Sequence, residues 1–120
     1  MDKKSELKRM YKENPPPAGI YKVTNKINGK IFIGKGLNVQ GKMNSLEFQL
    51  KQGTLFLNKK LQDDWKQHGE VSFTFEIIDT IEPKDNPQIN IMDELNELES
   101  LWLKKLSPYN EQGYNEPKKV

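Results

Sequence analysis

The stretch AGIYKVTNKINGKIFIGKG, residues 18–36, decides the fold. Its two halves are short and rich in β-branched and aromatic residues, which favour strands. Between them stands Asn28-Gly29, a typical turn pair because both residues tolerate positive φ angles. The pattern therefore predicts an antiparallel hairpin, with strands at residues 19–25 and 30–35 joined by a two-residue type I′ turn.

One face of this hairpin carries two aromatic rings beside glycines. Because side chains alternate along a strand, Tyr21 and Phe32 share a face with Gly34 and Gly36. A tight two-residue turn would place Val23 opposite Gly34. Glycine weakens a strand interior and often marks the close approach of a ligand or another backbone. We therefore expect a pocket at Phe32, Gly34 and Gly36, with ordinary core packing of the rings as the alternative.

The rest of the chain predicts helices and one further strand. Apolar residues at intervals of three and four predict helices at residues 38–52, 58–68 and 91–106. Residues 2–12 predict an N-terminal helix, which a run of prolines ends. Alternating residues predict a strand at residues 71–79, and the order of elements gives a small α+β domain. The buried face of that strand would carry Val71, Phe73, Phe75 and Ile77.

Composition and charge narrow the classes of function. The chain has 120 residues, a net charge of +2 and no cysteine, which excludes disulfides and thiolate metal sites. It has no apolar run of the length that spans a bilayer, so we expect a cytoplasmic protein without a membrane partner. Residues 1–66 hold 14 of the 19 Lys and Arg residues. A basic half is typical of polyanion binding, although lysines also serve simply to keep a surface soluble.

Several motifs resemble those of the GIY-YIG nuclease family. GIY stands at residues 19–21, FIG follows at residues 32–34, and GYN stands at residues 113–115. Between them come LNKKLQDDWKQHG, FEIID and ELESLWLKKL in the same order as in that family. The resemblance implies a three-stranded antiparallel sheet flanked by helices.

The resemblance also sets the domain bounds. It covers about residues 18–115, nearly the whole chain. Residues 1–17 would then form an N-terminal helix with a proline-rich linker, and residues 116–120 a C-terminal tail. Some relatives add a separate DNA-recognition domain, for which this chain has no room.

The family cuts phosphodiester bonds with one divalent metal ion on a helix glutamate. The resemblance places that glutamate at Glu99, three residues before Trp102, with Mg²⁺ or Mn²⁺ as the cofactor. Independently, Glu99 lies within about 50° of the centre of the apolar stripe of its helix. A carboxylate in that position needs a metal, another cation or hydrogen bonds. The alternative to a metal is a salt bridge to Lys22 or Lys42.

Only part of the family's catalytic set is present. Tyr21 keeps the phenol that positions or deprotonates water, and Asn115 matches an asparagine that helps to order the site. Phe32 replaces the second tyrosine and cannot exchange a proton. Lys42 stands at the arginine position and lacks the planar fork that grips two phosphate oxygens. The resemblance thus implies catalytic roles for Tyr21, Lys42, Glu99 and Asn115, and we expect the first three to share one hollow.

Two functions follow from this incomplete set. The first is a nucleic-acid- or nucleotide-binding domain with weak or no phosphodiester hydrolysis. DNA is the first partner expected, and a nucleotide-like small molecule or a protein is the alternative partner. The second function is an active Mg²⁺- or Mn²⁺-dependent endonuclease that uses Tyr21, Lys42 and Glu99.

Overall fold

The chain folds as an antiparallel sheet with helices on both faces. The strands follow the order β2-β1-β3, and both pairings are antiparallel. This confirms the predicted α+β class and the three-stranded sheet. The structure, a computed structural model, describes residues 16–82 and 90–117. Its elements are β1 (Ala18–Asn25), β2 (Ile31–Gly36), α1 (Val39–Gln52), α2 (Lys59–His68), β3 (Phe73–Ile81) and α3 (Ile91–Leu106), with 3₁₀ turns at Glu70–Ser72 and Asn110–Gln112.

Two hydrophobic cores lie on opposite faces of the sheet. On one face, Tyr21 and Val23 of β1 pack with buried residues of α1 and α2, among them Leu61. On the other face, Ile20 and Ile33 pack against α3. Consecutive residues of β1 therefore enter different cores, because side chains alternate along a strand. This division decides from which side each helix reaches β2.

The hairpin has the predicted strands in a different register. Tyr21 pairs with Gly34, and Val23 pairs with Phe32. The predicted pairing of Val23 with Gly34 is therefore wrong by two residues. Because the shift is even, the same side chains still share a face.

The register differs because the turn is longer than predicted. The backbone N–H of Asn25 donates to the Lys30 carbonyl, which closes a four-residue loop. Within that loop only Gly29 has a positive φ angle, +76°. The side chain of Asn25 accepts a hydrogen bond from the backbone of Ile27, an Asx turn that competes with type I′ geometry.

Strand β3 begins later than its alternation indicates. Val71 is 81% exposed and lies in the 3₁₀ turn Glu70–Ser72, so its predicted place on the buried face is wrong. Gly69 has a φ angle of +83°, and the backbone of Ser72 bonds back to the Gly69 carbonyl. These turn contacts hold Val71 away from the sheet, while Phe73 enters the core as predicted.

The chain after α3 covers part of the outer edge of β2. Gly113 bridges to Ile31, and the backbone N–H of Tyr114 donates to the Ile31 carbonyl at 2.8 Å. The amide of Asn115 then makes two bonds to the backbone of Ile33: Oδ1 accepts at 2.9 Å and Nδ2 donates at 2.8 Å. A side chain thus replaces a neighbouring strand at this edge.

Some predictions concern residues beyond those described. The N-terminal helix predicted at residues 2–12 and the last three residues of the tail fall outside the described ranges. The domain bounds 1–17, 18–115 and 116–120 therefore remain a prediction. Among the helices of residues 16–82 and 90–117, none combines the length and apolar character needed to cross a bilayer.

Candidate functional site along strand β2

Gly34 makes room for the phenol ring of Tyr21. A methyl group added to Gly34 would lie 2.2 Å from Cζ and 2.3 Å from the hydroxyl oxygen of Tyr21. The end of the ring therefore lies directly over the backbone of β2. Phe32 flanks the ring, with centroids 6.1 Å apart and planes at 49°. The slot predicted at Gly34 is thus filled by the tyrosine itself, which explains the glycine.

The buried position of Tyr21 decides its protonation state. Only 2% of the residue is exposed, and burial raises its pKa to about 12 because a phenolate loses hydration there. At pH 7 only about one Tyr21 side chain in 100,000 would be ionised. Near neutral pH this hydroxyl can therefore donate a hydrogen bond to an anion, but it is a poor base.

Lys42, in the first turn of α1, lies over Gly36 at the end of β2. Asn38 caps this helix, and its side chain accepts from the backbone N–H of Gly41 at 3.0 Å. A methyl group added to Gly36 would lie 2.8 Å from Cβ and 3.2 Å from Cγ of Lys42. The aliphatic part of Lys42 therefore crosses Gly36, and the residue is exposed. Lys42 takes part in none of the ion pairs formed within the described ranges.

Glu99 is held by a lysine of β2. The ammonium of Lys35 lies 3.0 Å from Oε1 of Glu99 and 2.6 Å from Oδ1 of Asn96. Asn96 and Glu99 lie three residues apart on α3, so their side chains project from the same side of the helix. The side chain of Glu99 is 17% exposed, which confirms that it faces inward. The sequence motifs do not predict a role for Lys35.

The alternative partners predicted for Glu99 were wrong. Lys22 instead lies 3.1 Å from Glu76, across the pairing of β1 with β3. Lys42 lies over Gly36, on the other face of β2 from Lys35. Glu99 does form a salt bridge to a lysine, the alternative to a metal, and its partner is Lys35.

Three consecutive residues of β2 each contact one predicted site residue. Gly34 contacts Tyr21, Gly36 contacts Lys42, and the lysine between these glycines binds Glu99. Since alternate residues face opposite sides, the phenol and the amine approach from the α1 side and the carboxylate from the α3 side. The arrangement therefore differs from the single hollow that we expected, because β2 runs between its parts.

Asn115 stabilises the same strand. Both polar atoms of its side chain bond to the backbone of Ile33, immediately before Gly34. Its amide cannot make these two bonds and contact a ligand with the same groups. The geometry therefore gives Asn115 a positioning role at the edge of β2.

The donor atoms near Glu99 suit a hard cation. Mg²⁺ and Mn²⁺ prefer carboxylate and amide oxygens, and Glu99 and Asn96 offer one of each. Both oxygens, however, converge on the ammonium of Lys35. Within residues 16–82 and 90–117, no group of three His, Cys, Asp or Glu side chains is placed to hold a metal ion.

The sheet, its helices and the motifs on the hairpin define a GIY-YIG-like fold. Solved structures show the same fold: the catalytic domain of homing endonuclease I-TevI matches with a TM-score of 0.64 and 26% identity, over 84% of this chain and 99% of that one. A mutant of the catalytic domain of intron endonuclease I-TevI, with a glutamate replaced by alanine, matches with a TM-score of 0.65 and 26% identity, over 82% and 92%. No family model matches the chain, and no curated protein matches it.

Proposed function

We propose that the chain is a nucleic-acid-binding domain, with DNA as its first partner, that hydrolyses phosphodiester bonds weakly or not at all. The observation that carries this proposal is the row formed by Gly34, Lys35 and Gly36. On one face of this row lie the hydroxyl of Tyr21, over Gly34, and the aliphatic chain of the exposed, positively charged Lys42, over Gly36. Hydroxyl and ammonium groups are the donors that proteins place against phosphate oxygens.

The edge of β2 at these residues suits a nucleic-acid backbone. The chain after α3 bonds to β2 at Ile31 and Ile33. In the part of the chain that the structure describes, Gly34 and Gly36 pair only with β1. The N-terminus of α1 nearby adds a partial positive charge from the dipole of that helix.

Three features support weak hydrolysis. The pKa of Tyr21, about 12, keeps its hydroxyl protonated. Phe32 packs against that ring and offers no second phenol. Glu99 already pairs with Lys35, so its negative charge is neutralised. Losing one transition-state donor costs about 100-fold in rate, and several such losses together would leave little activity.

The binding proposal predicts a steep dependence on salt. Binding of a fluorescent DNA duplex, followed by anisotropy, should weaken sharply between about 50 and 200 mM KCl because counterions are released. Lys42→Ala should weaken binding by about three- to tenfold and reduce the slope of log K against log [KCl] by about one. Its matched control is Lys104→Ala, an exposed lysine in the last turn of α3, which should change neither quantity.

Two results would contradict this proposal. Equal losses from Lys42→Ala and Lys104→Ala would show that the row on β2 does not carry the affinity. Binding that does not respond to salt would favour a nucleotide-like small molecule or a protein as the partner instead.

A second candidate is a Mg²⁺- or Mn²⁺-dependent endonuclease in which Tyr21, Lys42 and Glu99 act and Asn115 supports them. The inward position of Glu99, 17% exposed beside β2, is the observation in its favour. On this candidate, Glu99 would hold the metal, which would polarise the phosphate. Tyr21 would orient the attacking water, and Lys42 would neutralise charge on the phosphate.

A repair experiment separates the two candidates. The natural protein should cut plasmid DNA slowly or not at all in Mg²⁺ or Mn²⁺. Restoring a phenol and a guanidinium with Phe32→Tyr and Lys42→Arg, together with Lys35→Ala to free Glu99, should raise cutting by about 100-fold or more. Adding Glu99→Ala to the repaired protein is the control and should abolish the gain. Cutting by the natural protein that Glu99→Ala removes would instead establish the endonuclease.

A further inference from the structure

We propose that Lys35 is a built-in cation that takes the place of a divalent metal ion at Glu99. This inference rests on the proposed function, since it explains how the site is neutral without a metal. One ammonium receives two oxygens of α3: Oε1 of Glu99 at 3.0 Å and Oδ1 of Asn96 at 2.6 Å. A carboxylate and an amide oxygen that converge on one point are the beginning of a coordination shell for a hard cation.

The burial of its carboxylate distinguishes this pair from the other ion pairs of the described residues. The side chain of Glu99 is 17% exposed, against 52% for Glu76 in its pair with Lys22. Among the ion pairs formed within the described ranges, Glu99 is the least exposed carboxylate. A partly desolvated carboxylate depends on its cation much more than an exposed one does. Lys35 meets that need from within the chain.

The anchoring of Lys35 makes its ammonium difficult to displace. It projects from β2 between two glycines, and this strand is held by β1 on one side and by Asn115 at its outer edge. A metal ion at the same oxygens would have to expel the ammonium and break both of its hydrogen bonds. If the ammonium stayed close, its positive charge would repel the metal. The natural protein should therefore bind divalent ions weakly.

The test is a titration with Mn²⁺, followed by the electron paramagnetic resonance signal of the free ion at constant ionic strength. Lys35→Ala should uncover the oxygens of Glu99 and Asn96 and bind Mn²⁺ at least about tenfold more tightly than the natural protein. Lys22→Ala is the matched control, because it removes a lysine on the same face whose partner carboxylate, Glu76, is exposed, and its Mn²⁺ affinity should not change. Glu99→Gln added to Lys35→Ala should remove the gain.

Two results would overturn the inference. One is a natural protein that already binds Mn²⁺ as tightly as Lys35→Ala; the other is a folded Lys35 variant that gains no affinity. Lys35→Met, which keeps the aliphatic chain, provides a second variant if the alanine variant unfolds, and the titration of the natural protein is informative by itself. The salt dependence of DNA binding tests the proposed function separately, because it requires no metal.

Discussion

Replacing Gly113 with alanine is expected to lower the free energy of unfolding by about 3 kcal/mol or more. An added methyl group would lie 2.3 Å from the carbonyl oxygen of Pro108 and 2.5 Å from that of Ile31. Both obstacles are backbone atoms, so no side-chain rotation can relieve the contact. The chain after α3 would have to leave the edge of β2. The bonds of Tyr114 and Asn115 to that strand would then be lost together.

Urea unfolding followed by circular dichroism would measure this loss. Asn115→Ala should cost less, about 1–2 kcal/mol, because it removes two hydrogen bonds and leaves the backbone in place. Gln112→Ala is the matched control, since Gln112 is exposed and immediately precedes Gly113. A loss for Gly113→Ala no greater than that for Gln112→Ala would mean that the segment docks in another way.

Local periodicity was sufficient to predict most of the fold. The helices at Val39–Gln52, Lys59–His68 and Ile91–Leu106 lie within about one residue of the predicted ranges, because caps and apolar spacing are properties of neighbouring residues. The hairpin register was not predictable in this way. It depends on the side chain of Asn25, which accepts from the backbone of Ile27 and so stabilises the longer loop.

The candidate site was predictable only in part. That Tyr21, Gly34 and Gly36 share a face follows from alternation alone. The pairing of Lys35 with Glu99 joins residues 64 positions apart, and it depends on where α3 crosses β2. Alternation along β2 gave a weak indication of this pairing. It places Lys35 on the face opposite Tyr21, where another helix had to pack.

Raising the pH from 10 to 12 is expected to lower the free energy of unfolding by about 2 kcal/mol for each of two buried tyrosines. Burial raises the pKa of Tyr21 to about 12. Burial also raises the pKa of Tyr114 to about 12; the carboxylate of Asp64 adds to this effect and the amide of Asn25 opposes it. Tyr114 donates to Asp64 at 2.7 Å and accepts from Asn25 at 3.1 Å.

The sign follows from the protons that each state binds. Below pH 10 both states hold the phenol proton, and the stabilisation is complete. Between pH 10 and about 12 the unfolded chain loses its protons while folded Tyr21 and Tyr114 keep theirs, so stability falls as the pH rises. Both residues are at most 2% exposed, so solvent provides little screening of the effect.

Single phenylalanine variants assign this loss to each ring. Tyr21→Phe and Tyr114→Phe should each remove about half of the tyrosine contribution, seen as a shallower fall of unfolding free energy between pH 10 and pH 12. The difference in unfolding free energy between the natural protein and each variant, taken at each pH, cancels the contributions of all groups that the two proteins share. Absorbance of the folded protein at increasing pH should show one phenol fewer ionising near pH 12 in each variant than in the natural protein. A fall in stability that Tyr21→Phe leaves unchanged would mean that its hydroxyl is hydrated, and Tyr21 could then serve as a base at the strand where we place DNA.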